Sequence, residues 1–219
     1  ISAPTPEDIF RTLAFVKAMP KDTQEKLLEL AIPTTVESGD TLQTNYSGEM
    51  GFHVVVSGIA RLEGKGTSGH RGPGTVIGLV ASLLGRSLDR AHAETLVHTY
   101  FIKDKDATRF MEECEDMAAN LWHLAGMQYT TWAVGNVPPF NSWGQERLAR
   151  YFKHGFVMQI QESEDAKFSP MTGMISALLI GRASVLGGGP SRTYTGPCLI
   201  PATEHDLELS VGSKVFVVD

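Results

Sequence analysis

Cysteine is scarce here: Cys114 and Cys198 are the only two in 219 residues. Two thiols so far apart make neither a disulfide framework nor a zinc-type spacing, and they read as reduced, buried thiols of a cytosolic domain. Long apolar runs are missing too; none approaches the roughly 18 residues of a membrane-spanning helix. Basic charge is in deficit, with 19 Lys and Arg against 25 Asp and Glu and a net charge of -6. That argues against a large nucleic-acid footprint. The chain starts at Ile1 without a signal-peptide pattern and reads as a fragment of a longer protein. Asn45-Tyr46-Ser47 fits a glycosylation sequon, which has no meaning in a cytosolic domain.

The signatures of catalysis are missing as well. Gly64-Lys65-Gly66-Thr67 lacks the spacing of a phosphate-binding P-loop and the hydroxyl directly after the lysine. There is no Gly-x-Ser-x-Gly elbow and no His-Glu-x-x-His. The seven histidines (His53, His70, His92, His98, His123, His154 and His205) form no ligand cluster and read as solvated or singly hydrogen-bonded. Glu112, Glu113 and Asp116 read as a solvated helix face. The reading is a non-enzyme without metal or cofactor.

What is present is a change of period. Pro6-Glu7-Asp8 opens a helix with acids in its first turn, and Ile9, Leu13 and Val16 continue it to Met19-Pro20. Asp22 can cap a second helix, which Pro33 stops. From Thr34 onward short apolar runs alternate with glycine turns. Phe52–Val56, Ile59–Glu63, Val76-Ile77, Ala91–Val97 and Tyr100–Ile102 read as strands, with a polar, glycine-rich loop from Gly64 to Gly74. A long helix begins near Asp104 or Asp106, with Phe110, Cys114, Met117, Leu121 and Leu124 on one face.

The breaker cluster Asn136–Ser142 marks a boundary, giving domains at 1–135 and 140–219. Trp143–Phe152 reads as one more short helix. Strands follow at Phe156–Gln161, Met174–Ile180, Ala183–Leu186, Cys198–Ile200, Leu207–Leu209 and Val215–Val218, with a flexible turn at Gly187–Pro190. Gly58-Ile-Ala-Arg-Leu-Glu-Gly echoes Gly181-Arg-Ala-Ser-Val-Leu-Gly, each after an apolar strand. A repeated hairpin explains the echo, and so would any two hairpins of an all-β protein.

The order helix, helix, strands with a short helix among them, long helix resembles that of cyclic-nucleotide-binding domains. Val36-Glu-Ser-Gly-Asp-Thr-Leu is similar to that family's entry into its β-roll, and Phe52-His-Val-Val-Val-Ser-Gly-Ile-Ala-Arg-Leu to its hairpin. The resemblance implies a mainly β fold with flanking helices. It would be a cyclic-nucleotide-binding-type β-roll (jelly roll) with N-terminal helices and a long C-terminal helix, followed by a second small β domain. Asn120-Leu-Trp-His-Leu-Ala-Gly-Met, Trp143, Thr193-Tyr-Thr-Gly-Pro-Cys-Leu-Ile-Pro and His205 resemble the cytosolic region of sperm-type sodium/proton exchangers. That implies a parent with exchanger and voltage-sensor membrane domains, expected to be a homodimer in the plasma membrane of a flagellum or cilium.

The family's phosphate cassette runs Phe-Gly-Glu-x-Ala-Leu, then a loop, then Arg-(Ala/Thr)-(Ala/Ser). Gly78 matches its glycine and Ala81 its alanine, with Val80 between, while Leu79 falls where the ribose-binding glutamate stands. Arg90-Ala91 is the best match to the phosphate arginine and its neighbour, about two residues late, with Arg86 the competitor. The resemblance thus implies a cAMP or cGMP site at Gly78, Leu79, Val80, Ala81, Arg90 and Ala91. Losing the glutamate should weaken a nucleotide by about 1–3 kcal/mol. Leu121, Trp122, Leu124, Met127 and Gln128 could form a lid over a purine or pack on the strands. The competing function is a nucleotide-free interaction module that keeps the roll as a scaffold.

Overall fold

A computed structural model describes residues 2–64, 68–162, 166–187, 192–202 and 205–219. Residues 65–67 and 188–190, inside the loops expected at Gly64–Gly74 and Gly187–Pro190, lie outside that set. The chain divides into two compact units, 1–122 and 123–219.

The first unit opens on α1 (Pro6–Thr12), whose Thr5 and Asp8 make a reciprocal capping box. The single helix expected up to Met19 is two. Leu13 turns extended between α1 and α2 (Ala14–Lys17). A continuous helix would point Phe10 and the Phe15-Val16 pair to different sides, and the break lets all three be buried. In α3 (Lys21–Leu30) Asp22 is a first-turn acid rather than the cap, which is Pro20.

Eight strands follow among the described residues. They are β1 (Ile32–Val36), β2 (Asn45–Tyr46), β3 (Glu49–Ser57), β4 (Ala60–Glu63), β5 (Gly69–Arg71), β6 (Val76–Ile77), β7 (Arg90–Ala93) and β8 (Val97–Lys103), with the short helix α4 (Leu79–Leu84) between β6 and β7. One sheet runs β1-β8-β3-β2, with β6 also on β3; the other runs β5-β4-β7. Their facing sides enclose a core of Val36, Leu42, Val55, Ala60, Ile77, Ala91, Ala93 and Val97. The expected strand Ala91–Val97 is cut at Glu94–Leu96, because its halves belong to different sheets. The expected long helix is α5 (Asp104–Glu113) and α6 (Glu115–Val134), broken at Cys114. The break moves Glu115 and Asp116 from mid-helix to a first turn, where the helix dipole favours acids.

In the second unit a 3-10 turn (Phe140–Ser142) leads into α7 (Gln145–Phe152), then, among the described residues, eight more strands. These are β9 (Phe156–Gln159), β10 (Lys167–Phe168), β11 (Ile175–Ile180), β12 (Arg182–Val185), β13 (Thr193–Thr195), β14 (Cys198–Ile200), β15 (Leu207–Leu209) and β16 (Lys214–Val218). Their sheets run β14-β11-β16-β9 and β10-β15-β12-β13. This is the pairing pattern of the first unit over again. β3 pairs β8 and β6 as β11 pairs β16 and β14, and β4 pairs β7 and β5 as β12 pairs β15 and β13. Even the irregularity repeats. The β3–β8 ladder slips between Val55 and Ser57, and the β11–β16 ladder slips between Leu178 and Ile180. Gly58 and Gly181 come next, both at positive φ. The faint sequence echo is therefore the hairpin of two β-rolls with one topology.

Candidate functional site

The candidate segment joins β6 to β7. Gly78 ends β6 at φ 91, a left-handed turn that sends the chain straight into α4. A β carbon there would lie 2.8 Å from Thr44 Cγ2. Gly85, at φ 69, closes the helix. Gly78, Leu79, Val80 and Ala81 thus come together at the head of α4. Leu79 is 0% exposed and Val80 3%. Leu79 is a core residue, and its side chain fills space rather than facing a ligand.

The register of the three-stranded sheet decides which side chains face the core. Directly opposed residues of an antiparallel pair share a face, and successive residues alternate. Ala60 opposes Arg71 on β5 and Ala93 on β7; Leu62 opposes Gly69 and Ala91. Ala60, Ala91 and Ala93 are buried, so this is the inner face, and Arg71 belongs to it. Glu63 opposes Arg90 on the outer face, where Arg90 is exposed. Of the two cassette candidates on β7, Ala91 faces in and Arg90 faces out. The outer face also places His92 Nε2 2.9 Å from Glu63 Oε1 and His70 Nε2 2.7 Å from Glu94 Oε2.

The residue before Arg90 has the inward parity. Asp89 lies against Gly64, so closely that a β carbon on Gly64 would fall 1.4 Å from Asp89 Oδ1. That oxygen is buried and has no hydrogen-bond partner among the described residues; Ser82 Oγ, on α4, is in the same condition. Burial pushes the Asp89 carboxyl up, and the charge of Arg71 partly offsets it. Burial likewise lowers the Arg71 guanidinium, and Asp89 partly restores it. Arg71 Nη1 bonds the carbonyl of His70 at 3.0 Å and would lie 3.2 Å from a β carbon on Gly69. Sequence reasoning missed both Arg71 and Asp89.

The second roll supplies an internal comparison. Ala183 opposes Tyr194 and Leu209, as Ala60 opposes Arg71 and Ala93. Val185 opposes Leu207, as Leu62 opposes Ala91. The inner positions held by Arg71, Ala91 and Ala93 are thus Tyr194, Leu207 and Leu209 in the second roll; the two leucines lie in its apolar core and Tyr194 packs against it. The stretch Gly78–Asp89, which carries α4, has only Pro201–Asp206 as its counterpart.

No family model and no curated protein sequence matches the chain. Solved structures match the chain at low identity and with TM-scores below 0.5. The regulatory domain of Toxoplasma gondii PKA with cAMP is 11% identical over 97% of this chain and 87% of that one, at a TM-score of 0.45. The regulatory subunit of a cAMP-independent protein kinase A from Trypanosoma cruzi, bound to guanosine, gives 11%, 97%, 79% and 0.46. That from Trypanosoma brucei gives 8%, 100%, 86% and 0.45.

Of the expected lid residues, Leu121 is fully buried, and Trp122, Leu124, Met127 and Gln128 are half-buried. Cys114 and Cys198 are free and half-buried, and burial pushes the Cys198 thiol up. Among the described residues no group of three or more His, Cys, Asp or Glu is placed to hold a metal. Among them, too, no helix is long and apolar enough to cross a membrane.

Proposed function

We propose that this chain is the cytosolic regulatory part of a sodium/proton exchanger-like membrane transporter. Its first roll senses a cyclic nucleotide, cAMP in preference to cGMP. The change in that roll passes to membrane domains of the same parent chain, which pair as a homodimer at the flagellar or ciliary plasma membrane. The exchanger context rests on the resemblance of residues 120–127 and 193–201. One observation carries the sensing role: Gly78 and α4 lie in a link of twelve residues, 78–89, where the second roll joins β14 to β15 with six, 201–206. A roll does not need so long a link to fold, since the second closes the same pairing pattern with half as many residues.

Isothermal titration of the whole chain with cAMP and cGMP tests this. A micromolar Kd for cAMP, with cGMP weaker, supports it; no heat and no thermal shift with either at millimolar concentration overturns it. The second reading, a nucleotide-free interaction module, is favoured by Leu79, which is wholly buried where the resemblance calls for an acid. The null titration would establish that reading instead.

A further inference from the structure

We propose that the inner face of the first roll's three-stranded sheet is a binding surface for an anionic ester that also carries a hydroxyl donor, with Arg71 taking the anion and Asp89 Oδ1 taking the donor. This rests on the proposed function and names the groups that grip the ligand. Three independent observations converge on it.

First, the two rolls share one pairing pattern but differ in what fills this face. Ala91 and Ala93 stand where the second roll has Leu207 and Leu209. Each change removes three carbons from the inward side. Ala91 and Ala93 belong to the buried core of the first roll, and they put less volume on this face than leucines would. Second, this face of the first roll carries two charged side chains of inward parity, Arg71 and Asp89. The position of Arg71 is held in the second by Tyr194, which packs against its apolar core. Third, Asp89 Oδ1 is buried and lacks a donor among the described residues. A buried acceptor without a partner costs stability, so its retention points to a donor that arrives from outside.

The chemistry of the pair narrows the ligand. A guanidinium recognises an oxyanion with charge-assisted bonds. A carboxylate repels one, and it accepts only from a donor. The ligand must therefore offer an anionic group and a hydroxyl at separate points, as a sugar phosphate diester does. A simple anion such as inorganic phosphate satisfies only Arg71 and meets repulsion from Asp89.

The test is calorimetric titration of the whole chain with cAMP, 2′-deoxy-cAMP and inorganic phosphate, with far-UV circular dichroism verifying the fold of each variant. Wild type is expected to bind cAMP roughly 10-fold or more tightly than the 2′-deoxy compound, and phosphate not measurably. Arg71→Gln should weaken both nucleotides by roughly 10- to 100-fold. Asp89→Ala should abolish the preference for cAMP while leaving 2′-deoxy-cAMP binding in place. Asp89→Asn, which keeps an acceptor oxygen, should retain part of that preference. If wild type binds cAMP and these variants stay within about two-fold of it, this inference falls and the proposed function stands. If wild type binds neither nucleotide, both fall.

Discussion

His53 Nδ1 lies 2.8 Å from Thr99 Oγ1, across the pairing of β3 with β8. On the other side of the ring, Nε2 is 2.6 Å from the Gln43 carbonyl oxygen. A carbonyl only accepts, so Nε2 carries the proton. In the neutral ring Nδ1 then accepts from the Thr99 hydroxyl. His53 is 2% exposed, and burial lowers its proton affinity more than the Gln43 carbonyl raises it.

The folded chain therefore resists a proton that the unfolded chain accepts near the ordinary value of 6.5. Above that value both states are neutral at this ring and the contribution to stability is complete. As pH falls below it only the unfolded state gains the proton. Stability should then drop by up to about 1.4 kcal/mol per pH unit until the lowered native pKa is reached. Urea unfolding followed at pH 7.5, 6.5 and 5.5 reads this out. The slope should shrink in His53→Gln; an equal slope in the variant would assign the effect to other groups.

Thr99 is the donor to that ring and is itself 2% exposed. Thr99→Val keeps the shape and removes the hydroxyl, leaving Nδ1 without a partner. It should cost about 1–3 kcal/mol at neutral pH, whereas Thr99→Ser, which retains the donor, should cost less. Denaturant midpoints at constant m-value decide it.

Leu79 bears on any attempt to rebuild the resembled cassette. A glutamate there would not point at a ligand but enter the space of a side chain that is 0% exposed. Leu79→Glu should therefore lower the melting temperature by on the order of 10 °C without tightening cAMP, because a carboxylate would be buried without a partner. Leu79→Met, which keeps the volume, should cost less than about 1.5 kcal/mol. A Leu79→Glu chain that stays folded at wild-type stability would show that the helix can turn this position outward.

The contrast between Arg90 and Asp89 shows what the sequence could reveal. Turn residues and β-branched runs marked most strands of both rolls, since Ser57-Gly58 and the apolar stretch before it are local signals. Which of two neighbours faces the core is not local: it depends on register, and a one-residue slip exchanges the faces. Arg90 matched a motif, while Asp89 beside it had the inward parity. Arg71 was hidden for a different reason. It lies in a polar, glycine-rich stretch that becomes a strand only by pairing with β4. The duplication showed only as one hairpin, because alanine-for-leucine exchanges and the different lengths of the links 78–89 and 201–206 erase sequence likeness while the ladders remain.

In the second roll the Phe216 ring is held between α6 and the turn after α7. His123 meets it edge-on with centroids 5.8 Å apart, and His123 Nε2 donates to the Gly155 carbonyl at 2.9 Å. Gly126 and Gly155 leave no room for more: added β carbons would fall 2.6 Å and 2.3 Å from ring carbons of Phe216. Gly126→Ala must displace a ring that is 0% exposed and should cost about 1–3 kcal/mol. Phe216→Leu should also destabilise, through lost burial and a residual cavity. Combined, the two should cost less than their sum, because the smaller side chain vacates the space that the new methyl enters. A double-mutant cycle from urea unfolding measures the difference. Strict additivity would mean that the ring moves aside freely and that Gly126 is not set by Phe216.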